Sequence, residues 1–246
     1  MHPSFALLLP RLNVPPALVI FDKDGTLIDF NAMWGAWITG LAQTLEAAAG
    51  VSVAQTLYAA MNFDPTGGRI AAGGHLALDP MAKLRVLTAG VLRQAGLSPE
   101  AAQGAMAAAW RTPNPAALAH PLADLPALFG ALRAGGAKVA IATSDDRAPT
   151  KAMLHQFGAA ALVDALVCAD DGLPIKPAPD MILTLCRRFN ISPAQTAMVG
   201  DNLPDMQMGR AAGAGLVVGV LSGVGSAADL APHADLLLGS VAELLV

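Results

Sequence analysis

The chain has 246 residues, 54% of them hydrophobic, with a mean hydropathy of +0.50 and a formal net charge of −4. That length can bury a substantial core in one large domain or two small ones. The absence of a basic cluster disfavours nucleic acid as a partner, and the longest uncharged stretches fall short of the ~20 strongly apolar residues of a membrane span.

In chain order, Met1–Pro10 is apolar but has neither a basic region before it nor a small-residue cleavage site. No secretory signal is therefore expected, and the chain reads as cytoplasmic. Ala17–Phe21 is a short apolar, β-branched run of the kind that forms a buried strand. It runs directly into Asp22-Lys23-Asp24-Gly25. An Asp-Gly pair alone reads as an ordinary turn with solvated acids. Two acids at the end of a buried strand would each be desolvated beside a like charge, so a cation is expected between them. A hard divalent metal with oxygen ligands meets that need, and a carboxylate held by one can also act as a nucleophile.

From Asp29 to about His120 the pattern is helical, with amphipathic stretches at Met33–Ala49, Val53–Met61, Pro80–Gln94 and Pro99–Trp110 and no convincing strand. Gly67–Gly74 reads as a flexible loop. Such a segment is an inserted helical domain, with crossings near Ile28–Asn31 and at the proline-rich Thr112–Pro121.

From about Leu125 onward helices and strands alternate, the signature of a parallel α/β sheet. Asp124 caps a helix that ends at Gly135-Gly136, Val139–Thr143 is a strand, and Lys151–Phe157 is a helix stopped by Gly158. Asp164–Cys168 is a strand, Pro179–Asn190 a helix, Ala197–Val199 a strand, and Pro204–Ala212 a helix ended by Gly213. Leu216–Val218 and Leu236–Leu238 complete the strands. Cys168 and Cys186 are too few and too far apart for a zinc site or a disulfide framework, and are expected as buried packing residues.

Three further elements fall at carboxyl ends of these strands, where open α/β sheets place ligands. Thr143, followed by Ser144, can offer hydroxyl and backbone N–H groups to an anion, although Thr-Ser after a strand is most often a turn or cap. Lys176 stands in Leu173-Pro174-Ile175-Lys176-Pro177-Ala178-Pro179, where prolines restrict the backbone on both sides of what is otherwise an ordinary loop lysine. Asp201, directly after a buried strand, is followed by Asp205, an acid that the dipole of a starting helix also favours.

Taken together, Asp22-Lys23-Asp24-Gly25-Thr26-Leu27, the Thr143 turn, Lys176-Pro-Ala-Pro and Gly200-Asp201-Asn-Leu-Pro-Asp205 resemble the four signatures of the haloacid dehalogenase-like (HAD) hydrolases, in the phosphoglycolate phosphatase-like and β-phosphoglucomutase-like subgroup. The resemblance covers about Leu18–Ile28 and Leu122 to the end of the chain. It implies a Rossmann-like parallel sheet core at 1–29 and 118–246, with an inserted α-helical cap domain at 30–117. It further implies Asp22 as nucleophile, Asp24 as general acid and base, Thr143, Ser144 and Lys176 as phosphate ligands, and Mg²⁺ held by Asp22, Asp24 (through its carbonyl), Asp201 and Asp205. Asp24 argues against dehalogenases, which lack the second acid, and against P-type ATPases, which carry Thr there.

The expected activity is hydrolysis of a small phosphorylated metabolite, phosphoglycolate-like or a sugar phosphate. A β-phosphoglucomutase-type phosphomutase shares every motif. A non-catalytic small-molecule-binding protein on the same scaffold is a third reading, disfavoured because Asp22, Asp24, Lys176, Asp201 and Asp205 are all present. In the cap, Arg69, His75 and Trp34 are candidates for the non-phosphate end of the substrate, each against the plainer reading of a surface or core residue.

Overall fold

A computed structural model of the chain describes residues 15–71, 73–79, 81–111 and 118–245. The apolar start at Met1–Pro10 and most of the Thr112–Pro121 crossing lie outside them. The described chain divides into two compact units, Met1–Phe30 with Ala119–Val246, and Asn31–Leu118.

In chain order the elements are β1 (Leu18–Phe21), α1 (Phe30–Ala49), α2 (Ala54–Met61), β2 (Phe63–Asp64), β3 (Arg69–Ile70), α3 (His75–Leu78), α4 (Met81–Gln94) and α5 (Pro99–Ala109). There follow α6 (Leu125–Ala134), β4 (Lys138–Ala142), α7 (Arg147–Gln156), β5 (Ala165–Val167), α8 (Asp180–Phe189), β6 (Thr196–Gly200), α9 (Leu203–Ala212), β7 (Leu216–Val220), α10 (Ala227–Leu230) and β8 (Leu236–Leu238).

The first unit is an α/β fold around a six-stranded parallel sheet in the order β5-β4-β1-β6-β7-β8. Parallel strands covered on both faces must be apolar throughout, which is why β1, β6 and β7 are uninterrupted buried runs rather than alternating ones. Val19 stands in register with Val139 on one side and Ala197 on the other, so β1 is central. On one face, Leu18, Ile20 and Met198 pack with Met181, Ile182 and Leu185 of α8. Cys168 and Cys186 are buried, as their apolar surroundings led one to expect.

Helix ends follow the local chemistry. Asp124 accepts the Ala127 N–H at 3.0 Å to start α6, and Gly213, at φ +74°, ends α9 in the left-handed conformation that glycine adopts without cost. The chain leaving β1 and the chain returning to the sheet pair with each other, Asp29 N–H to His120 O at 2.8 Å and Leu122 N–H to Leu27 O at 2.9 Å.

Each edge of the sheet carries the same clamp. Asp164, just before β5, accepts the Val139 N–H of β4 at 2.9 Å and faces Arg133 at 2.7 Å. Asp235, before β8, accepts the Val217 N–H of β7 at 2.8 Å and the Arg210 guanidinium at 2.8 Å. Burial alone would raise the Asp164 carboxyl, but the Val139 N–H, Arg133 and Lys138 outweigh it and hold it below its ordinary 3.8. Arg133 and Lys138 are substantially exposed, so the backbone bond carries most of the stabilisation. Asp164→Ala is therefore expected to cost about 1–3 kcal/mol near neutral pH by leaving the Val139 N–H without this acceptor. A depressed carboxyl contributes its charged-state stability above 3.8 and loses it as pH falls through the folded value. Urea unfolding at about pH 7 and about pH 3 should show the gap to the parent narrowing on acidification; an equal gap at both would remove the ionised carboxylate from the account.

The second unit holds α1 to α5. Here the structure corrects the reading of Gly67–Gly74 as an open loop in a strandless segment. Phe63–Asp64 and Arg69–Ile70 form a two-stranded antiparallel ribbon, with Phe63 opposite Ile70 and Asp64 opposite Arg69. The Asp64 carboxylate closes the turn by accepting the N–H groups of Thr66 at 2.9 Å and Gly67 at 3.1 Å. Gly74 begins a separate one-turn helix, α3, and α4 starts at Met81.

Candidate active site

The site grows from the end of β1. The Asp22 N–H still bonds the Val199 carbonyl at 2.9 Å, continuing the ladder toward β6. The chain then turns sharply. Lys23 O accepts the N–H groups of Leu27 at 2.9 Å and Ile28 at 3.2 Å, and the Gly25 N–H reaches Ile28 O at 2.9 Å. Gly25 sits at φ +80°, and a Cβ there would lie 2.5 Å from Asp201 Oδ2. Only glycine serves both the backbone angle and the approach of that carboxylate.

Asp201 follows β6, the strand beside β1, and Asp205 lies in the first turn of α9, where it and Asn202 cap the helix reciprocally. Asp22, Asp201 and Asp205 are 5%, 1% and 0% exposed. Each offers a carboxylate oxygen, and the three oxygens lie within 4.8 Å of one another. The Lys176 ammonium, its side chain 4% exposed, contacts Asp22 Oδ1 and lies 2.6 Å from Asp205 Oδ1. The approach to Asp205 is off the axis of a good hydrogen bond, so that buried oxygen has charge nearby but no well-aligned donor.

Asp201 is held by four groups: the Thr26 hydroxyl at 3.3 Å from Oδ1, the Val224 N–H at 2.9 Å from Oδ2, the Gly225 N–H at 3.0 Å from its carbonyl, and the close backbone of Gly223. Ser222 donates to Gly25 O at 2.7 Å. The loop after β7, Ser222–Gly225, thus completes the site, and sequence reasoning passed over it. Its glycines at the carboxyl end of a predicted strand were the available signal.

Burial is the largest cause of the shifts in this cluster. It pushes the Asp201 carboxyl well above its ordinary range, with Asp22 and Asp205 adding to the effect, and Asp205 up to about 7, where the Lys176 charge opposes the rise and Asp22 adds to it. For Lys176 burial works the other way, but the charges of Asp205 and Asp22 outweigh it and the ammonium is held more tightly than usual. With every acid ionised, three buried carboxylates face one ammonium. The surplus is two negative charges, the charge of one divalent cation, and the donors are hard oxygens of the kind such a cation takes. The residues present therefore fit a divalent metal.

Asp24 turns elsewhere. Its Oδ1 accepts from Lys23 Nζ at 2.7 Å, and Lys23 also lies 3.1 Å from Asp145 Oδ2. Burial is again the largest cause raising the Asp24 carboxyl, opposed by the Lys23 charge. Lys23 and Asp145 were not singled out in the sequence. Thr143 is buried directly after β4, its N–H on Val167 O at 3.0 Å and its hydroxyl accepting the Asp145 N–H at 3.1 Å, with Ser144 exposed beside it.

Arg69, His75 and Trp34 belong to the other unit. Arg69 is exposed on β3. His75 Nδ1 is 2.6 Å from Asp79 Oδ2, whose other oxygen takes Lys83 at 2.9 Å. Trp34 meets Trp37 edge-on at 5.5 Å between ring centroids.

A family model described as haloacid dehalogenase-like hydrolase matches residues 16–213. The chain belongs to this family. Among curated relatives, a phosphoglycolate phosphatase of Nitrosospira multiformis is 44% identical over 88 residues, 35% of this chain and 37% of that protein. An N-acetylmuramic acid 6-phosphate phosphatase of Pseudomonas aeruginosa is 30% identical over 98 residues, 40% of this chain and 43% of that protein. The chain thus spans less than half the length of these relatives. The solved structure of a HAD family hydrolase from Deinococcus radiodurans superposes with a TM-score of 0.61 at 24% identity, over 94% of each chain, which establishes the shared fold.

Proposed function

We propose that this chain is a Mg²⁺-dependent phosphatase that hydrolyses a small phosphomonoester through a phosphoryl group carried on Asp22. The observation that carries the reading is the buried cluster in which Asp22 and Asp201, at the carboxyl ends of the adjacent parallel strands β1 and β6, meet Asp205 and Lys176. A carboxylate in that position can attack phosphorus, and a fixed ammonium beside it can take part of the phosphoryl charge.

Asp22 Oδ attacks phosphorus while the bond to the leaving oxygen breaks, and Asp24 protonates the departing alkoxide. Asp24, now a carboxylate, removes a proton from the water that displaces Asp22 and releases inorganic phosphate. Lys176, Thr143 and Ser144 hold phosphoryl oxygens. Asp22, the Asp24 carbonyl, Asp201 and Asp205 would hold Mg²⁺, which when bound offsets phosphoryl and carboxylate charge. Relatives named for substrates as different as phosphoglycolate and an N-acetylmuramic acid phosphate support a small phosphorylated metabolite as the substrate class. Arg69, His75 and Trp34 are our candidates for reading the rest of that molecule. No helix among the described residues is long and apolar enough to cross a membrane, and we take the site of action to be the cytoplasm.

Purified protein with p-nitrophenyl phosphate and Mg²⁺ should turn over and be stopped by EDTA; no EDTA-sensitive turnover with this or a panel of phosphorylated metabolites would sink the proposal. The metal has its own readout. Mg²⁺ at about 100 times its Kd should stabilise the parent against thermal unfolding by about 2.7 kcal/mol. Asp201→Ala should lose most of that gain, and an undiminished gain would remove Asp201 from the metal's ligands.

A further inference from the structure

Lys23 is a buried cation for which the nucleophile, the metal ligands and the phosphate ligands leave no task. Its side chain is only 3% exposed. It lies between two acids of different loops, 2.7 Å from Asp24 Oδ1 and 3.1 Å from Asp145 Oδ2. Burying an ammonium is costly, and an apolar residue could fill the same space at the end of β1 with less penalty. Both ends of the link are fixed. The Lys23 carbonyl accepts two N–H groups of the tight turn, at 2.9 and 3.2 Å. Asp145 is tied through its N–H to the Thr143 hydroxyl at 3.1 Å and through its carbonyl to the Ala169 N–H at 3.0 Å. The Asp24 side chain is 28% exposed and that of Asp145 37%, so the Asp24 carboxyl is free to change rotamer unless the buried ammonium holds it.

We infer that Lys23 is a positioning residue: its ammonium, bonded to Oδ1, holds the Asp24 carboxyl group in one orientation, which leaves Oδ2 to carry the proton, and ties it to the loop that carries Thr143. This rests on the proposed role of Asp24 as the acid that protonates the leaving oxygen. The proton donor and the loop that receives the phosphoryl oxygens are then set in register before substrate arrives. A misplacement of about 1 Å in such a group can cost ~10²-fold in rate.

The test is single-turnover phosphorylation of Lys23→Met, which keeps the aliphatic stem and removes the ammonium, beside Asp24→Asn and the double variant. With an alkyl phosphate, Lys23→Met should lose about 10²-fold in rate with little change in KM. With p-nitrophenyl phosphate, whose leaving group needs little protonation, the loss should be far smaller. In the Asp24→Asn background the same change should cost only about twofold, because the residue it acts through is already gone. Asp145→Asn, on the exposed side of the link, should give a smaller loss with the same leaving-group preference, and it decides the matter if Lys23→Met does not fold. Equal losses with both substrates in Lys23→Met while Asp24→Asn discriminates between them would overturn the role of Lys23 and leave that of Asp24 standing. So would a full additional loss in the double variant, or an Asp145→Asn enzyme with parental rates on both substrates. Equal losses in Asp24→Asn itself would bring down the assignment of Asp24, and the Lys23 proposal with it.

Discussion

Asp22→Asn is expected to lower kcat by about 10³-fold or more with every phosphomonoester. The amide keeps the shape of the side chain but cannot attack phosphorus, and it removes one of the three acids of the buried cluster. The fold should survive. With no metal bound and at a pH high enough to ionise all three acids, three carboxylates face one ammonium, so removing one negative charge relieves repulsion among Asp22, Asp201 and Asp205. At such a pH the metal-free variant should unfold no earlier than the metal-free parent, while its gain in melting temperature from Mg²⁺ should shrink. Rate loss with an intact fold separates chemistry from stability. A variant keeping a tenth of the parent rate would end the nucleophile assignment.

The second large effect is expected at Asp24. Asp24→Asn removes proton transfer, a contribution worth typically ~10²–10⁴-fold. The loss in the phosphorylation step should follow the leaving group, severe for an alkyl phosphate and mild for p-nitrophenyl phosphate. Hydrolysis of the phosphorylated enzyme needs the same residue as base, so steady-state turnover should suffer with both. Burst kinetics resolves the two steps. A phosphorylation step slowed equally with both substrates would show that Asp24 does not act as the acid.

Much of this arrangement was legible in the sequence because parallel sheets impose a simple code. A strand buried on both faces must be apolar throughout, so β1, β4 and β6 stood out as short uninterrupted runs. Acids placed immediately after such runs have no structural reason to be there, which is why Asp22, Asp24 and Asp201 drew attention. The ribbon of β2 and β3 was not legible, since strands of two residues are too short to show alternation and the glycines between them read as a loop. Its closure depends on one side chain, Asp64, accepting backbone N–H groups.

The loop Ser222–Gly225 escaped notice for a different reason. It contributes backbone N–H groups and close glycine packing around Asp201, and neither leaves a titratable residue to find. Lys23 was visible but unread. Simple alternation along a strand would send it to the side opposite Asp22 and Asp24. The turn that begins there brings its ammonium back to Asp24 and across to Asp145, a contact between residues 122 apart in sequence that only the folded chain shows.

The most direct test of the account is a crystal structure of the protein grown with Mg²⁺ and beryllium fluoride, which mimics a phosphoryl group on a carboxylate. The beryllium should be joined to an Asp22 oxygen, its fluorines facing Lys176 and Thr143, with the metal held by Asp22 and Asp201. A mimic attached to any other residue, or a metal bound away from Asp22, Asp201 and Asp205, would contradict it.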